Sequence, residues 1–314
     1  MTKKLKVILI GGCGRSGSTL LGRVLENSLS ARGVGELRYI WERGLQENQL
    51  CGCGQPFREC SFWNAVLEPW QARSPLTDIA ELVTIKNKLE RIRGIIPFLF
   101  PRLQSPAWRK MYEDYTGALL EVFKIIHEQS GSEFIVDSSK DVGYVYLLNS
   151  LAERGEIELF VIHLVRDSRA VAYSWQKQKR RPEIHWSEEN MPILSTTSSA
   201  ILWNSVNILV GMIGKLARQR YFFVRYEDFV HSIDGSVAQI AHFVQADPAS
   251  LRSFGEAQMV ELGFSHTVSG NPMRFEQGRI HIQPDIEWQR NLAQRAKRQV
   301  TLLTLPLLFL YGYI

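Results

Sequence analysis

The chain has 314 residues, 45% hydrophobic and 22% charged, which suits one large α/β domain or two smaller ones. Its net charge is only +5, an excess that points to anionic ligands without arguing for nucleic acid. No arginine-rich arm, zinc-finger spacing or aromatic–basic alternation accompanies it, so a nucleic-acid partner is not expected.

The N-terminus imitates a secretory signal: Lys3, Lys4 and Lys6 flank an apolar stretch, and Ile10-Gly11-Gly12-Cys13 resembles a lipoprotein cleavage site. The apolar core, residues 7–10, is shorter than the ~7 residues a signal core needs. Residues 6–10 therefore read as a short buried strand, glycines follow, and residues 17–29 carry helical periodicity. Cys51, Cys53 and Cys60 fall close together, with Cys13 apart. No histidine lies nearby to complete four zinc ligands. The segment reads as a turn-rich loop of reduced thiols, with a disulfide involving Cys60 or a metal as alternatives.

Residues 76–130 read as mostly helical, broken around Pro97, Pro101 and Pro106. A second short strand follows at 133–136, a helix at about 142–154, and a third, very hydrophobic strand at 158–165. A helix at about 169–179 leads into residues 181–199, polar and proline-punctuated, a candidate mobile loop. Residues 201–218 read as helix and 221–224 as a fourth strand, after which helices dominate. The apolar tail, 300–314, falls short of the ~20 residues of a membrane span, and Pro306 interrupts it. No transmembrane segment and a cytoplasmic location are expected. Strands alternating with helices argue for a central parallel sheet flanked by helices. No repeat or linker divides the chain, so residues 1–314 are expected to form one domain.

The string Gly11-Gly12-Cys13-Gly14-Arg15-Ser16-Gly17-Ser18-Thr19 follows a strand and opens a helix. Glycines let the backbone wrap an anion, the helix N-terminus adds partial positive charge, and Arg15 adds a full one. Aligned on the ATP-binding loop G-x-x-x-x-G-K-[ST], Gly12 and Gly17 put Ser18 where the lysine belongs, which counts against nucleoside triphosphate chemistry. The third strand runs into Arg166, with Ser174 two helical turns further on, a pair able to grip one phosphate from two sides. Two anion sites at strand ends suit a ligand with two separated anionic groups. Tyr226 ends the fourth strand, and residues 266–278, with Arg274, read as a late closing loop.

Gly14-Arg15-Ser16-Gly17-Ser18-Thr19-Leu20-Leu21 resembles the 5′-phosphosulfate loop of the sulfotransferases, in the arginine form of the tyrosylprotein branch and bacterial members. The resemblance implies a P-loop-like α/β fold. It also implies a donor, 3′-phosphoadenosine 5′-phosphosulfate (PAPS), with 3′-phosphoadenosine 5′-phosphate (PAP) as product. By the same token Gly14, Arg15, Ser16, Gly17, Ser18 and Thr19 hold the 5′-phosphate, Arg166, Ser174 and Tyr226 the 3′-phosphate, and Arg274 adds a third cation. Counting from Arg15 in the tyrosylprotein pattern lands on Glu36 and Arg38, making Glu36 the implied general base, effective if burial raises its pKa. His163 and His266 remain alternatives. Lys140, in Asp137-Ser138-Ser139-Lys140, matches the lysine that contacts the sulfuryl group, and Ser138 or Ser139 could cap the helix that follows. No metal is required.

The largely helical insertion at about 45–130 is the expected acceptor side, and Trp41, Trp63, Trp70 and Trp108 either line a pocket or fill the core. The small-molecule branch's Tyr-Pro-Lys lead-in is missing, and the cysteine loop has no tyrosylprotein counterpart, so peptide tyrosine does not follow. A small molecule or natural product is the expected acceptor, with a hydrophobic natural product, a carbohydrate and a lipid all open. The alternatives are a nucleotide-binding protein without turnover and a small-molecule kinase. Oligomeric state is open.

Overall fold

A computed structural model describes residues 4–217, 220–254 and 258–314. Lys3 and the predicted helix end at Arg218 lie outside the described residues.

Strand β1, Lys6–Gly11, is the centre of a parallel sheet. Its neighbours are β3, Phe134–Asp137, on one side and β4, Glu158–Val165, on the other. Beyond them lie β2, Ala31–Gly35, and β5, Tyr221–Arg225, giving the order β2-β3-β1-β4-β5. A parallel sheet is covered on both faces, and β1 shows it: Val7 and Leu9 enter one core, Ile8 and Ile10 the other. The helix Ser18–Ser28 lies over the second face, packing Leu21, Val24 and Leu25 against Ile8 and Ile10.

The sequence reading missed β2. Ala31-Arg32-Gly33-Val34-Gly35 holds one β-branched residue between two glycines, a poor strand by propensity. Pairing with β3 makes it an edge strand, with the register shifting between Gly33 and Gly35. Helices dominate the C-terminal part as expected, but a small second sheet lies among them. Met259–Leu262 and Gly278–His281, β6 and β7, form an antiparallel pair that brackets the closing loop.

The segment 45–130 packs onto the first face of the sheet. Its longest helix, Pro106–Ser130, starts where the prolines end: Ser105 accepts from Trp108 N at 3.1 Å, and Pro106 takes the first turn, where no donor is needed. Trp41, Trp63 and Trp70 are fully buried beside Tyr115, Leu119 and Phe123, so they fill the core. The helix Thr196–Leu216 begins five residues before its predicted start and is long and apolar enough to cross a membrane. Its Trp203, Asn207, Val210 and Ile213 are buried, whereas Ile201, Ile208 and Leu216 are exposed.

Candidate active site

All five strands end at the same edge of the sheet, and each hands a functional group to it. In sheet order these are Glu36 after β2, Lys140 after β3, Arg15 after β1, Arg166 after β4 and Tyr226 after β5. Ligands of open α/β sheets bind at this edge, where the strand order reverses. A cleft of about 510 Å³ lies there, and all five groups line it.

The loop after β1 is tightly constrained. Gly12 has φ 138°, and a Cβ there would sit 2.3 Å from the Leu164 carbonyl oxygen. At Gly17, φ is 94°, and a Cβ would sit 2.4 Å from the Tyr226 ring. Arg15 itself takes φ 70°, a left-handed conformation that costs a non-glycine residue about 1–2 kcal/mol per residue. Its guanidinium stacks 4.7 Å from the Trp175 ring, with one nitrogen 3.1 Å from Met191 Sδ. The other two nitrogens and Ser16 Oγ are buried without partners. Burial, only partly offset by Glu36, holds the Arg15 pKa below its usual value.

Arg166 stacks 4.6 Å from the Tyr226 ring and donates to the Arg15 carbonyl at 3.2 Å. Its remaining strong contact is Asp285, at 2.8 Å, a residue the sequence reading did not single out. Asp167, the neighbour that could have neutralised Arg166, instead caps the helix Ser168–Gln176 and binds Arg169 at 2.6 Å. Ser174 lines the cleft from that helix, as do Gly14, Gly17, Ser18 and Thr19 from the first loop.

Glu36 and Lys140 form an ion pair, and Lys140 also donates to the Ser138 carbonyl at 3.2 Å. Burial pushes the Glu36 carboxyl up, but Lys140, helped by Arg43 and Arg38, overrides it and holds the pKa below the carboxylate range. The expectation of a raised pKa is therefore corrected: Glu36 is held ionised. Neither serine caps the next helix; Asp141 does, accepting from Gly143 N at 3.0 Å. Ser138 Oγ instead donates to the Ser18 carbonyl, and Ser139 Oγ accepts from Arg38 N. Asp137, buried and pushed up to about 6 by burial, joins Ser139 N, Tyr144 and Leu37 N, fixing the turn that presents Lys140.

Several expected residues lie elsewhere. Arg274 is buried away from the cleft, donating to the carbonyls of Thr267 and Leu50 at 2.6 Å each, so it ties loops together and is not a third cation in the cleft. Arg38 pairs with buried Glu90 at 2.6 Å. His163 is fully buried between Tyr221 and Asn207, and burial pushes its pKa down to about 4. His266 lies beside the cysteines: its Nδ1 is 3.2 Å from Cys60 Sγ, so the fold supplies the histidine that the sequence neighbourhood lacked.

No residue of 45–130 lines the cleft, contrary to the expected acceptor side. The wall comes from Tyr39 and Arg43, from residues 177–192, and from Gly270, Asn271 and Met273. Residues 179–191, read from sequence as part of a mobile loop, close on themselves through Arg181 N to the Glu189 carbonyl and Met191 N to the Lys179 carbonyl. Arg43, Lys177, Lys179 and Arg181 add four cations to Arg15, Lys140 and Arg166, against the carboxylates of Glu36, Glu183 and Asp285. Burial, then Arg15 and Lys177, hold the Lys179 pKa below its ordinary value. The basic run 177–181 was the sequence signal for this wall; Asp285 and Tyr39 carried none.

The sequence model described as "Sulfotransferase family" matches residues 7–248. No curated protein sequence matches the chain. Among solved structures, the sulfotransferase domain of the Synechococcus PCC 7002 olefin synthase is similar at 18% identity, with 95% of this chain and 93% of that one covered and a TM-score of 0.45. The sulfotransferase domain from the curacin biosynthetic pathway gives 18% identity, 96% and 99% coverage and a TM-score of 0.45. A sulfotransferase from Mycobacterium tuberculosis H37Rv gives 13% identity, 77% and 68% coverage and a TM-score of 0.38.

Proposed function

The chain belongs to the sulfotransferase family, and from that premise we propose that it moves a sulfuryl group from PAPS to a hydroxyl of a small-molecule acceptor. The observation that carries the reading is the loop after β1, where two Arg15 nitrogens and Ser16 Oγ are buried without acceptors at a helix start. Unsatisfied buried donors are costly, and an anion seated on this loop satisfies them. PAPS supplies a sulfuryl group already activated by its link to the 5′-phosphate.

In this reading Gly14, Arg15, Ser16, Gly17, Ser18 and Thr19 hold the 5′-phosphate. Arg166, Ser174 and Tyr226 hold the 3′-phosphate, with Arg166 released from Asp285. Strand ends spaced ~4.8 Å apart spread the five groups over about 19 Å, room for an extended bisphosphate and an acceptor side by side. Arg15 stabilises the negative charge that develops on the departing phosphate oxygen. Lys140 turns from Glu36 towards the sulfuryl oxygens. Freed from that cation, the buried Glu36 carboxylate becomes a stronger base and takes the acceptor's proton. Acceptor choice falls to Tyr39, Met191 and Pro192 on the cleft wall. Free thiols suit a reducing, cytoplasmic setting.

The test is transfer from radiolabelled PAPS to a panel of hydroxylated small molecules. Label reaching an acceptor with wild type, and falling ~10²–10⁴-fold with Glu36→Gln, supports the assignment. Equal transfer by Glu36→Gln removes Glu36 from the chemistry.

A further inference from the structure

Outside the cleft, the fold gathers a second set of reactive groups. Cys51, Cys53 and Cys60 come from one loop, and His266 arrives from 206 residues beyond Cys60. Their ligand atoms all lie within 4.8 Å of one another. Cys53 Sγ is 3.7 Å from Cys60 Sγ, and Cys60 Sγ is 3.2 Å from His266 Nδ1.

All three thiols are free. The 3.7 Å separation is far beyond the ~2.05 Å of a disulfide. It does match the edge of a ligand tetrahedron around zinc, where Zn–S bonds of ~2.3 Å set the sulfurs ~3.8 Å apart. We propose that Cys51, Cys53, Cys60 and His266 bind one zinc ion in a closed Cys₃His site.

The surroundings are built for it. Cys51 N donates to the Gln55 carbonyl and Gly54 N to the Cys51 carbonyl, both at 2.8 Å, folding Cys51-Gly52-Cys53-Gly54 into a tight turn. Gly54 has φ 87°, which glycine permits. Gly52 N donates to the Thr267 carbonyl at 3.0 Å, and a Cβ on Gly52 would sit 2.6 Å from the Ser265 carbonyl oxygen, so the two loops meet backbone to backbone. Phe62 stacks on the His266 ring at 5.1 Å and 21°, fixing the imidazole plane. Cys51 and Cys60 are fully buried.

Four protein ligands leave no open coordination position, so the ion is structural. It staples the cysteine loop to residues 265–270, next to the Arg274 tie between Thr267 and Leu50. The same stretch continues into Gly270 and Asn271 on the cleft wall. The ion takes no part in the proposed transfer chemistry.

The full chain, purified under reducing conditions, is assayed for metal by elemental analysis, then stripped and reloaded with cobalt(II). The proposal expects one zinc per chain. It also expects a cobalt spectrum with a sulfur-to-metal charge-transfer band and the intense visible bands of a tetrahedral site. Cys53→Ser and His266→Ala, at the two partly exposed ligands, should each weaken cobalt affinity at least ~10-fold. Folded, reduced wild type that neither carries stoichiometric zinc nor develops the cobalt spectrum overturns the site. So does a spectrum unchanged in both variants, or a Cys53–Cys60 disulfide in freshly isolated protein.

Discussion

At the residue scale, two ion pairs line the cleft, Arg166 with Asp285 and Lys140 with Glu36. Asp285 sits on Arg166 where the 3′-phosphate is proposed to bind, and the contact holds its carboxyl, against burial, below the usual range. Asp285→Asn removes a competitor and its charge, so PAP affinity should rise by roughly 3–10-fold, about 1 kcal/mol. Weaker binding by the variant, measured by calorimetry, would recast Asp285 as a positioner of Arg166. In the second pair, Lys140 is the cation that holds Glu36 down. Lys140→Ala leaves the burial and removes the charge, so the Glu36 carboxyl should titrate at higher pH than in wild type. Carbon NMR of labelled glutamate reads this directly, and an unmoved titration would contradict the coupling.

At the scale of elements, backbone geometry makes the first loop intolerant of side chains. Gly17→Ala places a methyl 2.4 Å from the Tyr226 ring in a left-handed conformation. It should destabilise the fold by about 1–3 kcal/mol and abolish PAP binding, because the helix start moves off the anion. A chemical melt and a titration check both, and unimpaired binding would contradict the loop's role. Strand β4 carries a different signature in His163, whose pKa falls from 6.5 to about 4 through burial. The unfolded chain takes that proton first, so this contribution is intact above about pH 6.5 and lost as pH falls towards 4. Asp137, raised to about 6, acts in the opposite sense, because its folded carboxyl is protonated first. A variant comparison isolates the histidine. The stability deficit of His163→Gln measured at neutral pH should shrink by about 2–3 kcal/mol near pH 4.5 in urea unfolding. A constant deficit would show that His163 is not neutral in the fold.

At the scale of the molecule, what could be read from sequence was local. The run 6–10 with its glycines, Arg166 at the end of an apolar strand and the alternation of strands with helices all have short-range signatures. What escaped is made by distant contacts. Ala31–Gly35 becomes a strand only because β3 pairs with it, yet it delivers Glu36. His266 joins the cysteines, and Asp285 reaches Arg166, across separations that no local pattern records. Segment 45–130 is the acceptor side expected from sequence, whereas its Trp63 and Trp70 are core and the cleft wall comes from 177–192.

The two anion sites on one sheet edge are proposed to hold a 3′,5′-bisphosphate. Calorimetric titration of the purified protein with PAP, beside ATP with magnesium, tests it most directly. PAP should bind wild type and lose binding in Arg166→Ala, with no response to ATP. No PAP binding by folded wild type, or equal binding of ATP, would contradict it.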